Sequence, residues 1–170
     1  MDFKDIVRKG IEEYAQELGK ALDGLTAEER RFQPTPTSHH IDFAVWHMAR
    51  VEDYYFNAFG KRVEQLWARG NWHEKLGLPR KDTGYGYSVE KVKDLPRFDL
   101  AAFRSYMDGV HKEALAYLDA LTQADLVTCP WPEREPGYTV GAILAHIVVH
   151  QSRHMGQVEY LRGIQRGFGA

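Results

Sequence analysis

Histidine supplies the strongest chemical signal in this sequence of 170 residues, which contains eight of them. Three follow one another at four-residue intervals, as His146, His150 and His154. On an α-helix, residues spaced in this way are rotated from one to the next by only about 40°. Their Cβ atoms lie about 5–6 Å apart, so two imidazole rings can bind one metal ion. A metal site is therefore the first hypothesis that the spacing suggests.

The apolar residues of the same segment predict which of these rings face the interior. A stripe at helical spacing comprises Val140, Ile143, Ile147, Val158 and Leu161. On a helical projection His154 falls at the centre of this stripe and His150 within about 40° of it, whereas His146 lies about 80° away. We therefore expect His150 and His154 to point inward and His146 to flank them.

A third inward histidine is predicted on a separate segment. His47 lies in the middle of an apolar face that extends from His40 to Ala58. Burying imidazoles without partners costs about 1–3 kcal/mol for each unsatisfied group, and a shared metal ion would satisfy all three. The sequence therefore predicts a metal site at His47, His150 and His154. A surface cluster of histidines, a hydrogen-bonded polar core and a site in which His146 replaces one ligand remain open as alternatives.

Three imidazole ligands restrict the chemistry of such a site without fixing the metal. They leave coordination positions for water or substrate, so the site is suited to catalysis as well as to structure. Imidazole binds Zn, Ni, Fe and Cu. The residue after His150 is Gln151, where the metalloprotease motif His-Glu-x-x-His needs a glutamate as general base, so we do not expect peptidase activity.

Four segments with helical periodicity must position these residues. The first is predicted over Phe3–Leu22 and the second over residues 38–59, before Gly60. The third begins after the N-cap Asp99, and the fourth runs over residues 139–162, before Gly163. No segment shows sustained strand alternation. We therefore expect an all-α protein, a four-helix bundle that forms a single domain over residues 1–170.

Residues 61–98 form a long connection between the second and third helices and lack strong periodicity. They contain Trp67 and Trp72 together with several glycines, and short helices are predicted near residues 61–69 and 88–95. Connections of this length are often functional, as a lid or a partner surface. The alternative is a crossover that packs onto the bundle through its tryptophans.

Composition excludes several classes of protein. Lysine and arginine total 22 against 24 acidic residues, a formal charge of -2, so no basic footprint for nucleic acid is present. Cys129 is the only cysteine, which excludes an internal disulfide and fits a reducing compartment. No apolar run reaches the roughly 20 residues that cross a bilayer. We expect a cytoplasmic protein with no nucleic-acid or membrane partner.

The residues around the histidines carry a specific resemblance. His47 is followed by Met-Ala-Arg-Val-Glu-Asp, and the last helix contains His150 and His154 in the form His-x-x-x-His-x-Gly-Gln. This pattern, over essentially the whole chain, resembles the DinB-like (YfiT-like) superfamily. The resemblance implies an up-down-down-up four-helix bundle with one divalent metal ion, often Ni or Zn, with Fe or Mn as further options. Its three histidine ligands correspond to His47, His150 and His154, and Gln157 corresponds to a group that orients a ligand.

The resemblance also suggests what the protein does. Many members carry only a general assignment as metal-dependent hydrolases, whereas better understood relatives use the metal to activate a low-molecular-weight thiol, as in mycothiol-dependent maleylpyruvate isomerase and the bacillithiol transferases. We therefore expect a metal-dependent enzyme acting on a small molecule, either a thiol-dependent S-transferase or a hydrolase. The alternative is a metal-binding or stress-response module without turnover. Pairing through bundle faces is common in the family, which implies a homodimer.

No auxiliary catalytic residue is assigned by the pattern. Arg50 and Arg153 flank the proposed ligands and are expected to be solvated, with binding of an anionic substrate as the alternative. Tyr54 is expected to pack in the core, and donation to an oxyanion is its alternative. The angles of Glu52 and Asp53 place both carboxylates on outward or flanking positions.

Overall fold

A computed structural model describes residues 1–167, and the regular structure of this range is entirely helical. The predicted all-α class is confirmed. Residues 168–170 of the predicted domain lie outside the described residues. The α-helices, in chain order from α1 to α8, are Phe3–Leu22, Ala27–Arg31, Ile41–Asp53, Leu66–Arg69, Trp72–Leu76, Val89–Lys93, Leu100–Ala120 and Val140–Arg166. A π-helical stretch, Tyr54–Gly60, continues α3, and a 3₁₀ turn, Gln123–Val127, follows α7.

Polar caps determine where the long helices begin. Asp2 accepts hydrogen bonds from two backbone N–H groups in the first turn of α1, and Asp99 accepts one from the N–H of Ala102 in the first turn of α7. Thr139 caps α8 through the N–H of Ala142, at 3.2 Å. These caps satisfy donors that have no partner inside the helix. The predicted range of α1 and the predicted starts of α7 and α8 are therefore confirmed.

The second predicted helix begins later than expected, because residues 38–40 are not helical. His40 is the N-cap of α3: its Nδ1 accepts from the N–H of Phe43 at 3.0 Å, and its Nε2 lies 3.0 Å from the carbonyl of Val92. A neutral imidazole with the proton on Nε2 makes both hydrogen bonds at once. The helical stretch ends at Gly60, as predicted, although its last seven residues are π-helical.

The last helix is longer than predicted, because Gly163 does not end it. Helix α8 continues to Arg166, and a positive φ of 93° appears only at Gly167. Two arginines hold the end of α8 against the first two helices: Arg162 donates to the carbonyl of Ala21 in α1 at 3.0 Å, and Arg166 donates to Glu29 in α2 at 2.7 Å. The local sequence pattern could not predict these contacts, because the residues that form them are far apart in the chain.

Helix α3 lies at the centre of the fold. It packs against α8 and α7, while α1 packs against both α8 and α7. Every residue of α3 is buried, although the sequence predicted a single buried face. The remaining faces are covered by α2 and by the crossover that contains α4. Ile6, whose spacing places it on the apolar face of α1, is nevertheless 62% exposed.

The long connection after Gly60 packs onto the bundle. The ring of Trp67 is fully buried against Tyr106 of α7, with ring centroids 4.8 Å apart. Asp53 at the end of α3 accepts from the backbone N–H groups of Leu66 and Trp67, both at 2.9 Å, and from Tyr106 Oη at 2.8 Å. This packing agrees with the prediction of a crossover that packs onto the bundle through its tryptophans. Its helices differ from the predicted pair, since α4 and α6 are shorter and α5 was not expected.

Within residues 1–167, none of the helices combines the length and the apolar character that a membrane crossing would require.

Candidate metal centre

Three histidines from two helices converge at one edge of the contact between α3 and α8. His47 comes from α3, and His150 and His154 come from successive turns of α8. One ring nitrogen of each lies within 4.8 Å of the other two. In one pair, His47 Nε2 and His150 Nε2 are 3.1 Å apart. The structure therefore brings together the same three residues that the sequence selected.

An oxygen atom faces the other nitrogen of each ring. The carbonyl oxygen of Thr83 lies 2.5 Å from His47 Nδ1, Gln157 Oε1 lies 2.7 Å from His154 Nδ1, and Gln151 Oε1 lies 3.3 Å from His150 Nδ1. An Nδ1–H group that donates to oxygen leaves the lone pair on Nε2. Lone pairs on the Nε2 atoms of His47 and His150 then face each other, and such an arrangement suits a cation between them.

The electrostatic environment keeps these rings neutral. Burial is the main cause, and it lowers the pKa of His47 and of His154 below the ordinary histidine value. Burial, together with His154 and His47, lowers the pKa of His150 to about 4. A metal ion binds the neutral form of imidazole, so at pH 7 the three side chains are in the form that binds.

Two of the three rings, those of His150 and His154, are less deeply buried than the sequence predicted. His47 is 7% exposed, but His150 and His154 are only half-buried. The buried stripe of α8 also includes Leu144, Gln151 and Met155, which moves its centre about 40° from His154 and about 80° from His150. The polar type of Gln151 concealed its place in this stripe. As a result, the cluster lies at the solvent edge of the bundle.

His146 lies beside the cluster and does not join it. Its ring stacks on His150 with centroids 5.5 Å apart, and it also contacts Tyr55 at 4.7 Å. Among the described residues, the group that is close enough to share an ion consists of His47, His150 and His154. The geometry thus favours the original trio over one that contains His146.

The flanking polar residues on α3 differ from their predicted positions. Arg50, Glu52 and Asp53 are all buried, at 1%, 5% and 0% exposure, and were expected to be solvated or outward. Arg50 donates to Tyr106 Oη at 3.3 Å and lies over the ring of Trp67. Because helices and crossover surround α3, it has no outward face, and these charged groups are paired inside the protein. They hold the crossover and neighbouring helices in place.

The two remaining positions differ in outcome, because Arg153 agrees with expectation whereas Tyr54, which was expected to pack in the core, is only partly buried. Arg153 is exposed on α8, as predicted. Tyr54 is half-buried at the start of the π-helical stretch, where the guanidinium of Arg134 lies 5.6 Å from its ring centroid.

Comparison with known proteins decides the family. The family model described as the DinB superfamily matches residues 11–158, a range that contains all three histidines. The chain belongs to the DinB superfamily. The fold of this DinB-superfamily protein is similar to that in the crystal structure of a conserved protein from Enterococcus faecalis, with a TM-score of 0.86 and 20% sequence identity over 96% of this chain and 97% of that one. No curated protein matches the sequence.

Proposed function

We propose that His47, His150 and His154 hold one divalent metal ion, with Ni or Zn as the preferred metals and Fe or Mn as further candidates. The observation that carries this proposal is the approach of three ring nitrogens to within 4.8 Å of one another. Neutral imidazoles suit these transition metals. Thr83 and Gln157 support the proposal, because each places an oxygen at the Nδ1 of one ring and so leaves the Nε2 lone pair of that ring available to a metal ion.

We further propose that the protein is a metal-dependent enzyme acting on a small molecule. The half-buried positions of His150 and His154 support this, because a catalytic site keeps a position open whereas a structural site is closed. A bound divalent ion supplies Lewis acidity, which serves either a hydrolase or an S-transferase that uses a low-molecular-weight thiol. The protein's own residues hold and orient that ion, and the exposed edge of the cluster admits the substrate.

The wider setting of this activity is also a proposal. The balanced charge of the chain supports a small-molecule substrate and no nucleic-acid partner. A cytoplasmic location fits the single cysteine. Because pairing through bundle faces is common in the family that the sequence resembles, we also propose that the protein forms a homodimer.

Metal content is the first test. The protein is purified without a metal-affinity tag, saturated separately with Ni and Zn, dialysed and subjected to elemental analysis. We expect about one ion per chain in the wild type and in Glu159→Ala, an exposed control on α8, and a loss of at least tenfold in His150→Ala. Wild-type protein that retains no metal, or a His150→Ala variant that retains as much as the control, would contradict the proposal.

Turnover is the second test and separates the chemistries. The metal-loaded protein is incubated with a thiol and an electrophile, and separately with esters and amides, with and without EDTA. Metal-dependent consumption of both thiol and electrophile identifies the transferase, whereas ester or amide cleavage alone identifies the hydrolase. Bound metal without turnover of any of these substrates would overturn the enzymatic proposal and favour a binding module.

A further inference from the structure

An exposed tyrosine lies at the edge of the candidate metal centre. Tyr85 is 90% exposed, the highest exposed fraction of any aromatic side chain within residues 1–167. A single exposed aromatic residue is ordinary on a protein surface. The position of Tyr85 is not ordinary, because the residue before it, Gly84, lies against His47: a Cβ added to Gly84 would be 3.1 Å from His47 Nδ1. The tyrosine therefore stands next to one of the proposed ligands.

The turn that carries Tyr85 is fixed in place. The N–H of Tyr87 donates to the carbonyl of Gly84 at 3.3 Å, which closes a β-turn with Tyr85 at its second position. The ring of Tyr87 packs on Trp46 of α3, with centroids 5.7 Å apart. Tyr87 Oη also donates to Asp82 at 2.9 Å. The base of the turn is thus anchored on α3, and the backbone presents the ring of Tyr85 to solvent at a defined place beside the histidines.

A second set of aromatic rings lies beside His150. The ring of His146 stacks on His150 with centroids 5.5 Å apart, and Tyr55 packs on His146 at 4.7 Å. Tyr138 lies next to Tyr55, with centroids 6.0 Å apart. We call Tyr55, Tyr138 and His146 the aromatic wall. All three of its residues are half-buried, so part of each side chain is open to solvent.

Tyr85 lies close to this aromatic wall. Burial is the main cause that raises the pKa of Tyr55, and the phenol of Tyr85 is one of the smaller causes in the same direction. Because electrostatic influence falls with distance, the two phenols must be near each other. The exposed edge of the histidine cluster therefore has Tyr85 on the side of His47 and the aromatic wall on the side of His150.

The chemistry of these two surfaces favours a flat apolar group. Aromatic rings pack favourably on one another when their centroids are about 4.5–7 Å apart. A cation is also attracted to the face of a tyrosine ring. Positive charge is already present at this edge, however, because Arg153 is exposed there and, after burial, is the cause that lowers the pKa of His146. An uncharged flat group therefore fits the edge better than a cationic one.

We propose that Tyr85 is a substrate-binding residue of the metal centre, and that the substrate carries a flat apolar group, such as an aromatic ring, next to its metal-binding head. The flat group packs between Tyr85 and Tyr55 while the head faces the three histidines. This inference rests on the proposed function, because it requires an ion at His47, His150 and His154. It adds the class of substrate and a residue that selects it.

Two hydroxamates that differ in one substituent test the proposal without turnover. Both chelate Zn through the same head, but benzohydroxamate carries a phenyl ring and acetohydroxamate a methyl group. The Zn-loaded full-length protein is titrated with each by calorimetry, at concentrations at which elemental analysis shows that the ion is retained. We expect benzohydroxamate to bind the wild type at least fivefold more tightly than acetohydroxamate. Equal affinity of the two in the wild type would overturn the proposed substrate class.

Variants of exposed tyrosines assign this preference to one residue. We expect the preference for benzohydroxamate to fall at least threefold in Tyr85→Ala and to persist in Tyr85→Phe, which keeps the ring. Tyr160→Ala is the matched control, because Tyr160 is 71% exposed on α8, and it should keep the preference of the wild type. A preference that is unchanged in Tyr85→Ala, or that falls equally in Tyr160→Ala, would overturn the role of Tyr85.

Acetohydroxamate separates this inference from the metal proposal. We expect its affinity to stay within twofold of wild type in Tyr85→Ala and to be lost in His150→Ala. That result, combined with an unchanged preference for benzohydroxamate, would remove the role of Tyr85 and leave the metal centre intact. Failure of both hydroxamates to bind the wild type would instead overturn the metal centre, and the role of Tyr85 with it. A change of oligomeric state in Tyr85→Ala, measured by sedimentation equilibrium, would assign the exposed ring to a contact between copies of the chain and overturn its role in substrate binding.

Discussion

The oxygens that face the clustered histidines come from two glutamine side chains on α8 and from one backbone carbonyl. For His154 the partner is Gln157, three residues further along the same helix, and the family resemblance implied this neighbour. For His47 it is the carbonyl of Thr83, which belongs to the crossover. Helical spacing reveals partners within α8, but it does not reveal the path of a connection of nearly forty residues. The proximity of the three histidines was therefore predictable from the sequence, whereas the backbone carbonyl that faces His47 was not.

The contact of Gln157 with His154 leads to the first prediction. Gln157→Ala removes the oxygen 2.7 Å from His154 Nδ1, so the ring loses its preferred orientation and tautomer. We expect metal affinity to fall by about 10–100-fold, the usual effect of removing such a partner. Competition with a chelator measures the change, and Glu159→Ala on the exposed face of α8 is the control. Equal affinity in the two variants would show that Gln157 has no role in the site.

His40 leads to a prediction about pH. Burial is the largest of the causes that lower its pKa to about 4, and its Nδ1 must stay unprotonated to cap α3. Between pH 6.5 and 4 the unfolded chain binds a proton at this position that the folded chain does not. The free energy of unfolding therefore falls as the pH falls, by about 1.4 kcal/mol per pH unit from this group.

Urea unfolding in EDTA over this pH range measures the slope. His40→Asn keeps a good N-cap acceptor but cannot be protonated, so we expect its slope to be smaller than that of the wild type. It also loses the contact with Val92, so the comparison concerns the slopes and not the stability at one pH. Parallel slopes would show that His40 does not contribute.

Among the helices, the burial of α3 shows which structural features a local sequence pattern can predict and which it cannot. The long helices and most of their caps followed from periodicity and cap residues, because those signals are local. Arg50, Glu52 and Asp53 appeared to be solvent-facing because charged residues are seldom buried. Their partners, Tyr106, Tyr14 and the backbone of α4, are distant in the sequence. From the local sequence alone, a helix that is buried on every side cannot be distinguished from an amphipathic helix when its buried charged groups have partners elsewhere in the chain.

The turn that carries Thr83 leads to a third prediction. Gly84 has φ of +87°, and a Cβ there would lie 3.0 Å from Trp46 and 3.1 Å from His47 Nδ1. Gly84→Ala must therefore displace the turn, and with it the Thr83 carbonyl. We expect lower stability and metal affinity reduced by at least tenfold, measured by thermal unfolding and chelator competition.

Gly86 is the matched control for this prediction. It also has a positive φ, +69°, but a Cβ there would meet nothing within 4 Å. Gly86→Ala should cost about 1–2 kcal/mol of backbone strain and leave metal affinity unchanged. If both alanine variants bind metal as the wild type does, the close approach at Gly84 does not position His47.

At the scale of the whole molecule, the candidate centre joins parts that are far apart in the chain. His47 and His150 are 103 positions apart, and Thr83 connects the same group to the crossover. An ion bound only in the folded state stabilises it by about 2.7 kcal/mol at a concentration 100-fold above its dissociation constant. For a protein of this size we expect Zn or Ni to raise the melting temperature by about 5–10 °C.

Calorimetry checks this expectation with two controls. Magnesium prefers oxygen ligands and should give no shift, and His150→Ala should lose the shift with Zn or Ni. An equal shift in His150→Ala would place the stabilising ion elsewhere in the molecule.

The atom that orients His47 belongs to the main chain, and this has a consequence for reading related sequences. Any amino acid at position 83 supplies a carbonyl, so the identity of that residue carries no information about the imidazole it holds. The sequence requirement falls instead on position 84, where only glycine lets the turn come close enough to His47. In relatives that share this arrangement, we expect many residue types at position 83 and glycine at position 84. The glycine, and not a polar side chain, would then indicate the position of the site in a sequence.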